Sequence, residues 1–284
     1  MKTHTDDLFE TIFVHLKQII LNYSGIFLKN EKKEKILKKV NDRMQILNMH
    51  NINNYYRYLL DNKIELQELI NSITNVSTYF FRENHHFIYL KNHILPILLS
   101  KKNKIRIWSA GCSTGEEAYS IAMTVHESIT HFENIDIKIL GTDINSKALN
   151  IARKGKYNES NLNMIDKQRR KKWFISTTAQ NTNYLEASDS LKNIIYFNYL
   201  NLFETWPMKG LFDVIFCRNI FLYFSKEKTQ YLLDKLDKYL CPGGFLIVGH
   251  AESAFVNTLK YKRVAETIYE KPIINNTGTL TLIK

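Results

Sequence analysis

Two hydrophobic rhythms divide the chain. Over residues 6 to about 75, apolar positions recur at helical spacing with no strand-like alternation. In EKKEKILKKVNDRMQIL, Ile36, Val40, Met44 and Leu47 make one stripe to be buried, and Lys32, Lys35, Lys39 and Arg43 make a second stripe beside it. From about residue 104, short apolar runs alternate with helical segments, the signal of a parallel α/β sheet. IRIWSA, IDIKILGTD, NIIYFNYLNL, FDVIFCRN and GGFLIVGH read as strands or strand ends, and YKRVAETIYEK as a terminal β segment. Between Lys154 and Lys192 the rhythm breaks into turns, a short basic helix in KQRRKKW, and short strands joined by polar turns. The pattern predicts a small all-helical N-terminal domain over residues 1–75 and an α/β domain over 76–284, with a small antiparallel β insertion at about 156–195.

Composition narrows this picture. A chain of 284 residues with 44% apolar and 24% charged positions can bury a large core and is ordinary for a globular protein. No apolar run approaches the roughly 18 to 20 residues of a membrane span, and the start, MKTHTDDLFETIF, lacks a signal-peptide layout, so a cytoplasmic location is expected. Cys112, Cys217 and Cys241 have no paired spacing, which points to reduced thiols and no zinc site. The net charge of +11 invites an acidic partner, but it is spread over two concentrations, residues 32–43 and 167–173, and a solvated face is the simpler reading of each.

The candidate chemistry lies at the strand ends, where open parallel sheets bind ligands. After the first strand come Gly111 and Gly115, then Glu116 and Glu117 at a helix start. The second strand ends at Asp143, where an acid can accept ribose hydroxyls; Asn201-Leu202 follow the third, and Arg218-Asn219-Ile220 the fourth. Glycines at a helix N-terminus suit a phosphate, yet two carboxylates would repel one. A positively charged nucleoside, S-adenosylmethionine, satisfies both features. Compensation of the helix dipole, worth about 0.3 to 1 kcal/mol, is the simpler account of one of the two glutamates, and a helix cap the simpler account of Asp143. Upstream, Tyr79, Phe80 and Phe81 lead into Arg82, either as a packed junction or as an aromatic lid with a carboxylate-binding fork. His85 and His86 are adjacent, so a regular helix would not aim both at one metal, and no metal is expected.

In this order and spacing, STYFFRE, WSAGCSTGEEAYSIA, GTDIN, FDVIFCRNIFLYF and LCPGGFLIVGHAES resemble the chemotaxis receptor glutamate methyltransferases, the CheR family. The resemblance runs from about Thr78 to the C-terminus, and the N-terminal helices fit that family's helical domain. It implies a Rossmann-like class I methyltransferase domain, S-adenosylmethionine as cofactor, and methyl esterification of glutamates on methyl-accepting chemotaxis receptors. Residue by residue, it places Thr78, Arg82, Gly111, Glu117, Asp143, Asn201, Leu202, Asn219 and Ile220 around the cofactor. Arg82 and Tyr223 fall at the positions near the transferred methyl, and Lys35, Lys39 and Arg43 on the receptor-guiding helical domain. One position departs from the family: Val76 stands where asparagine is usual, with Asn75 one place earlier, and loss of that hydrogen bond would cost about 0.5 to 1.5 kcal/mol.

A receptor glutamate, with an ordinary pKa of about 4.3, is ionised at neutral pH and needs no general base to attack a sulfonium methyl. Two other functions compete. A nucleic-acid methyltransferase fits the net charge and KQRRKKW, but CRNIFLYF has no proline where base-methylating enzymes commonly hold the base. A silent cofactor-sensing receptor-binding module is opposed by Arg82 and Tyr223. The expected partners are receptors, with no nucleic acid and no membrane insertion, and the chain is expected to be a monomer.

Overall fold

The computed structural model describes residues 4–74, 76–129, 134–179, 182–256, 258, 260–274 and 280–281. The helical stripe reading leads directly to the first layer: α1 (His4–Ser24), α2 (Lys33–Ile46), α3 (Ile52–Asp61) and α4 (Lys63–Ile73). Ile36, Val40 and Met44 of α2 are buried against Leu16 and Ile20 of α1 and Leu59 and Leu69 of α3 and α4, forming a separate apolar core. Asn51 caps α3 and Asn62 caps α4 by accepting first-turn amides, and Asn62 alone separates the end of α3 from the start of α4. Among the described residues, no helix is long and apolar enough to cross a membrane.

A helical segment joins the layers: α5 (His85–Tyr89), a π turn at Leu90–Ile94, and α6 (Leu95–Leu99). Pro96 lacks an N–H to return to Asn92, which suits an interruption there. The main helices and strands that follow are β1 (Lys104–Ala110), α7 (Glu116–Ser128), β2 (Asp136–Asp143), α8 (Ser146–Lys154), β3 (Lys156–Asn158), α9 (Lys167–Trp173), β4 (Phe174–Ala179), β5 (Thr182–Ala187), α10 (Asp189–Lys192), β6 (Ile195–Tyr199), β7 (Phe212–Cys217), α11 (Lys226–Tyr239), β8 (Leu240–Val248), β9 (Lys262–Ala265) and β10 (Ile268–Glu270), with a short pair β11 (Ile273–Ile274) and β12 (Leu280–Thr281) after them. The seven-stranded sheet runs β6-β2-β1-β7-β8-β10-β9. It is parallel from β6 to β8, and β10 pairs antiparallel with β8 and with β9. Strand order reverses at β1, which places a crevice at the carboxyl ends of β1, β2, β6 and β7.

The expected antiparallel insertion is a three-stranded sheet ordered β3-β5-β4, with α9 ahead of β4. The terminal β segment is a hairpin of two strands rather than one, turning at Glu266 and Thr267, where Thr267 adopts φ 58°. KQRRKKW forms the basic helix α9, but it is not simply a solvated face. Arg169 chelates Glu127 at 2.8 and 2.9 Å and lies 4.4 Å from the Phe81 ring centre, and Arg170 donates to the Leu162 and Ile165 carbonyls.

The helical layer is fastened to the sheet through polar contacts at one edge. Gln67 Nε2 donates to the Ile144 carbonyl at 2.7 Å, Asn71 Nδ2 to Ser146 Oγ at 3.0 Å, and Asn145 Nδ2 to Thr74 Oγ1 at 2.8 Å. From α1, the Tyr23 carbonyl accepts Asn201 Nδ2 at 2.5 Å, and in the loop beyond it the Phe27 amide donates to the Tyr223 carbonyl at 2.6 Å.

Candidate functional site

A cavity of about 600 Å³ opens between the helical layer and the carboxyl ends of the strands. Its floor begins at the turn after β1. Gly111 has φ +83°, where a side chain is strained, and a Cβ there would stand 2.7 Å from Ile220 Cγ2. Gly115, at φ +99°, is the N-cap of α7. The Gly111 and Cys112 amides both donate to the Thr142 carbonyl, at 2.8 and 2.9 Å, which ties this turn to the end of β2. Asp143 then bridges the two loops, accepting the Ser113 amide at 2.8 Å and the Asn145 amide at 2.7 Å. Burial raises its pKa above the ordinary carboxylate value, against the pull of those amides.

Of the two glutamates at the start of α7, only Glu117 faces the cavity. Ser109 Oγ donates to it at 2.6 Å and Arg218 Nη1 at 3.1 Å. Burial still outweighs the Arg218 charge and raises its pKa. Glu116 is buried outside the lining, where it accepts Thr114 Oγ1 at 2.6 Å.

Arg82 enters from the junction between the layers. The residues on either side, Phe81 and Glu83, have φ of 55° and 54°, so the backbone reverses sharply around it. The Phe81 amide donates to Ser120 Oγ of α7 at 2.9 Å, and Arg218 Nη2 donates to the Arg82 carbonyl at 2.5 Å. Held by its backbone, Arg82 keeps a partly exposed guanidinium whose Nη1 donates to the Ser77 carbonyl at 3.1 Å, with the Tyr79 ring centre at 5.7 Å.

Arg218 is named in the sequence only as the residue that follows the fourth strand, and the structure gives it a role. CRN was noted as a motif, but only its last residue and the following isoleucine were given a place. The Arg218 side chain is 1% exposed and also lies 3.4 Å from Glu83 Oε1. A buried guanidinium needs acids around it, and the acids were visible in the sequence while their convergence was not. Burial tends to raise the Glu83 pKa, but Arg218, Asn219 and His250 together hold it below the ordinary value.

The cavity lining brings together Thr78, Arg82, Gly111, Glu117, Asp143, Asn201, Leu202, Asn219, Ile220 and Tyr223, with Lys35 and Lys39 on the helical side. Asn201 spends its amide on the Tyr23 carbonyl and its oxygen on the Phe203 amide, so it also fastens α1 to the sheet. Asn219, at φ 59°, donates Nδ2 to Glu83 at 3.3 Å. Tyr223 presents its ring toward the Lys32 ammonium, 5.8 Å from the ring centre. Val76 lines the mouth and is 45% exposed, while Asn75 lies outside the described residues.

Arg43 does not join this group. It lies outside the lining, with a side chain 13% exposed, and its Nε and Nη2 donate to Glu65 at 3.0 and 2.6 Å. Tyr55 donates to the same carboxylate at 2.8 Å. The α2 stripe therefore splits: Lys35 and Lys39 face the cavity, and Arg43, one turn on, closes a buried ion pair inside the helical core. His85 and His86, though adjacent, do point toward one group. Both rings converge on the Thr267 hydroxyl, with Nε2 at 3.3 and 2.5 Å, because they open a short helix after the Arg82 reversal.

Strand order, switch point and an acid-floored cavity define a Rossmann-like S-adenosylmethionine-dependent methyltransferase. The family described as CheR methyltransferase, SAM binding domain, matches residues 76–269, and the CheR methyltransferase all-alpha domain matches residues 12–74. The chain is 38% identical over 247 residues to the chemotaxis protein methyltransferase of Borreliella burgdorferi, covering 84% of this chain and 86% of that one. It is 37% identical over 239 residues to a probable chemotaxis protein methyltransferase of Rhizobium etli, covering 82% and 89%. With the Escherichia coli chemotaxis protein methyltransferase it shares 32% identity over 260 residues, covering 90% and 89%. The chain belongs to the CheR family of chemotaxis protein methyltransferases, and its cofactor is S-adenosylmethionine.

Proposed function

We propose that this chain methylates glutamate side chains of methyl-accepting chemotaxis receptors, forming methyl esters with S-adenosylmethionine as donor. The observation that carries the reading is the polarity of the cavity: a carboxylate floor of Glu117 and Asp143, Arg82 at the inner junction, and Lys35 and Lys39 on the opposite wall. A cationic nucleoside fits the floor, and an acidic partner fits the wall.

The donor set suits the cofactor. Asp143 can accept ribose hydroxyls, Glu117 can accept an ammonium, and the turn at Gly111 lets backbone and ligand approach where a Cβ would collide. When bound, the cofactor supplies an electrophilic sulfonium methyl. Thr78, Asn219, Ile220 and Leu202 shape the walls beside it, and Arg218 keeps Glu117 oriented. Arg82 takes the incoming carboxylate from one side and holds it in line, and the Tyr223 ring shields the reacting centre from water. No proton has to move, since the glutamate arrives ionised. Lys35 and Lys39 raise the rate of encounter with an acidic helix and fix its register.

Labelled S-adenosylmethionine incubated with receptor-containing membranes, and in parallel with RNA, tests this reading. Label on the receptor that mild alkali releases as volatile methanol is the expected result. Alkali-stable label on RNA, or no transfer to either, overturns it.

A further inference from the structure

Outside the cavity, α5 and two neighbouring segments near the C-terminal edge of the sheet bring metal-ligating side chains together. His85 opens α5, His250 follows the carboxyl end of β8, and Glu266 sits in the β9–β10 turn. One ligand atom from each lies within 4.8 Å of the others. His250 Nε2 stands 3.0 Å from Glu266 Oε1, and the His85 and His250 ring centres are 5.4 Å apart. The opposite nitrogen of His250, Nδ1, lies 3.0 Å from Glu83 Oε2.

We infer that His85, His250 and Glu266 form a site for a divalent transition metal of the zinc class. Two imidazoles and one carboxylate suit zinc and its neighbours, whereas magnesium and calcium prefer all-oxygen shells. Metal–ligand bonds of about 2.0 to 2.2 Å require donors roughly 3.3 Å apart. The His250–Glu266 pair is already near that spacing, and the metal takes the place of the proton the two now share.

The surroundings supply an independent observation. A ligating histidine commonly donates its other N–H to a carboxylate, which fixes the tautomer and raises the basicity of the ligating nitrogen. Glu83 stands in that position, and it is itself anchored by Arg218 at 3.4 Å and by Asn219 at 3.3 Å. The His250 ring is therefore oriented before any metal arrives. His250 and Glu266 have side chains 56% and 60% exposed, so the ion enters from solvent and a water completes its shell. The carboxylate that orients His250 is joined through Arg218 to Glu117, so the metal site shares a buried ion network with the cavity floor.

The test uses the full chain, free of any polyhistidine tag, titrated with zinc chloride alone and followed by calorimetry and by the visible spectrum of the cobalt-substituted protein. The expected result is one equivalent of zinc bound, weakened at least tenfold by H250A and, separately, by E266Q, with the intense tetrahedral cobalt bands lost in both. E266Q alters an exposed turn residue, so it keeps the assignment testable if H250A melts early. H50A, at an exposed histidine remote in sequence from the site, should bind as the parent does. Undiminished zinc binding in H250A and E266Q, or no binding to the parent chain, overturns the site.

Discussion

The Arg218 guanidinium joins Glu117 to the backbone of Arg82, with Nη1 on the Glu117 carboxylate at 3.1 Å and Nη2 on the Arg82 carbonyl at 2.5 Å. One buried cation thus couples an acid of the cavity floor to the segment that carries the arginine of the inner junction. Replacing it with methionine should leave Glu117 and Glu83 as uncompensated acids, costing about 3 to 5 kcal/mol of stability. Cofactor affinity should fall at least tenfold in the same variant. E117Q, which keeps a polar partner for Arg218, should lose affinity with far less loss of stability. Calorimetric titration with S-adenosylhomocysteine, alongside thermal melts, separates the two effects. Parent-like affinity in R218M would remove Arg218 from the binding machinery.

Arg82 is fixed by its backbone, while among the described residues its side chain makes a single hydrogen bond, to the Ser77 carbonyl. R82A should therefore stay within about 0.5 to 1 kcal/mol of the parent in stability, yet lose on the order of a hundredfold in methyl transfer through lost alignment. The measurement is kcat on receptor membranes at saturating cofactor. Normal turnover in a well-folded R82A protein would sink the assignment.

Asp143 and Glu117 make binding sensitive to acid. Burial raises both pKa values, so in the unliganded fold both carboxyls hold their protons at higher pH than the unfolded chain does. Their contribution to stability consequently improves as pH falls through the raised values and is lost as pH rises through them. Ligand binding needs the charged forms, and so it runs the other way. The rise in Tm caused by S-adenosylhomocysteine should shrink on acidification, starting above the ordinary carboxylate range of about 4. Melts with and without ligand between about pH 8 and pH 5 give the profile, and a constant rise across it would contradict the role of these acids.

The two halves of the basic stripe should respond differently to mutation. K35E with K39E should slow methyl transfer at low ionic strength, with the defect fading as salt screens it over about 10 Å or less. Cofactor affinity should be unchanged. R43A should instead lower stability by about 3 kcal/mol, because Glu65, with its side chain 4% exposed, loses its cation. If R43A melts like the parent and alone slows transfer, the assignment is reversed.

How much of this was legible in the sequence depended on whether local pattern or tertiary convergence set the feature. Ile36, Val40 and Met44 announced a buried helix face because helical spacing is a local property. The central parallel strands β1, β7 and β8 announced themselves as apolar runs, since each is covered on both faces over most of its length. The basic stripe beside it grouped Arg43 with Lys35 and Lys39, yet Arg43 meets Glu65 instead of the cavity, because one turn of helix changes which neighbour a cation meets. Glu116 and Glu117 were indistinguishable as letters, and only the 100° step of the helix sends one to Thr114 and the other to the cavity. Arg218 meets Glu117 and Arg82 from more than a hundred residues away, and His85 meets His250 and Glu266 from the other end of the α/β domain, and spacing along one chain carries no signal for such meetings.

The contacts that fasten the helical layer to the sheet have one more consequence. The cavity has one wall on the core built by Leu16, Val40 and Leu69, and its other walls on the two cores that flank the sheet. Ile144, Tyr223 and Phe224 of the α/β domain pack on the helical core, and hydrogen bonds such as Gln67 to Ile144 and Phe27 to Tyr223 run beside them. Without ligand, two cores thus meet across a seam of a few apolar contacts and hydrogen bonds, and the small helical unit is expected to melt ahead of the larger one. A ligand that touches both walls is released when either unit opens, so its binding free energy is added to both. Loading the cavity would merge two melting transitions into one, and the cofactor would then act as the mortar between the folding units as well as the methyl donor.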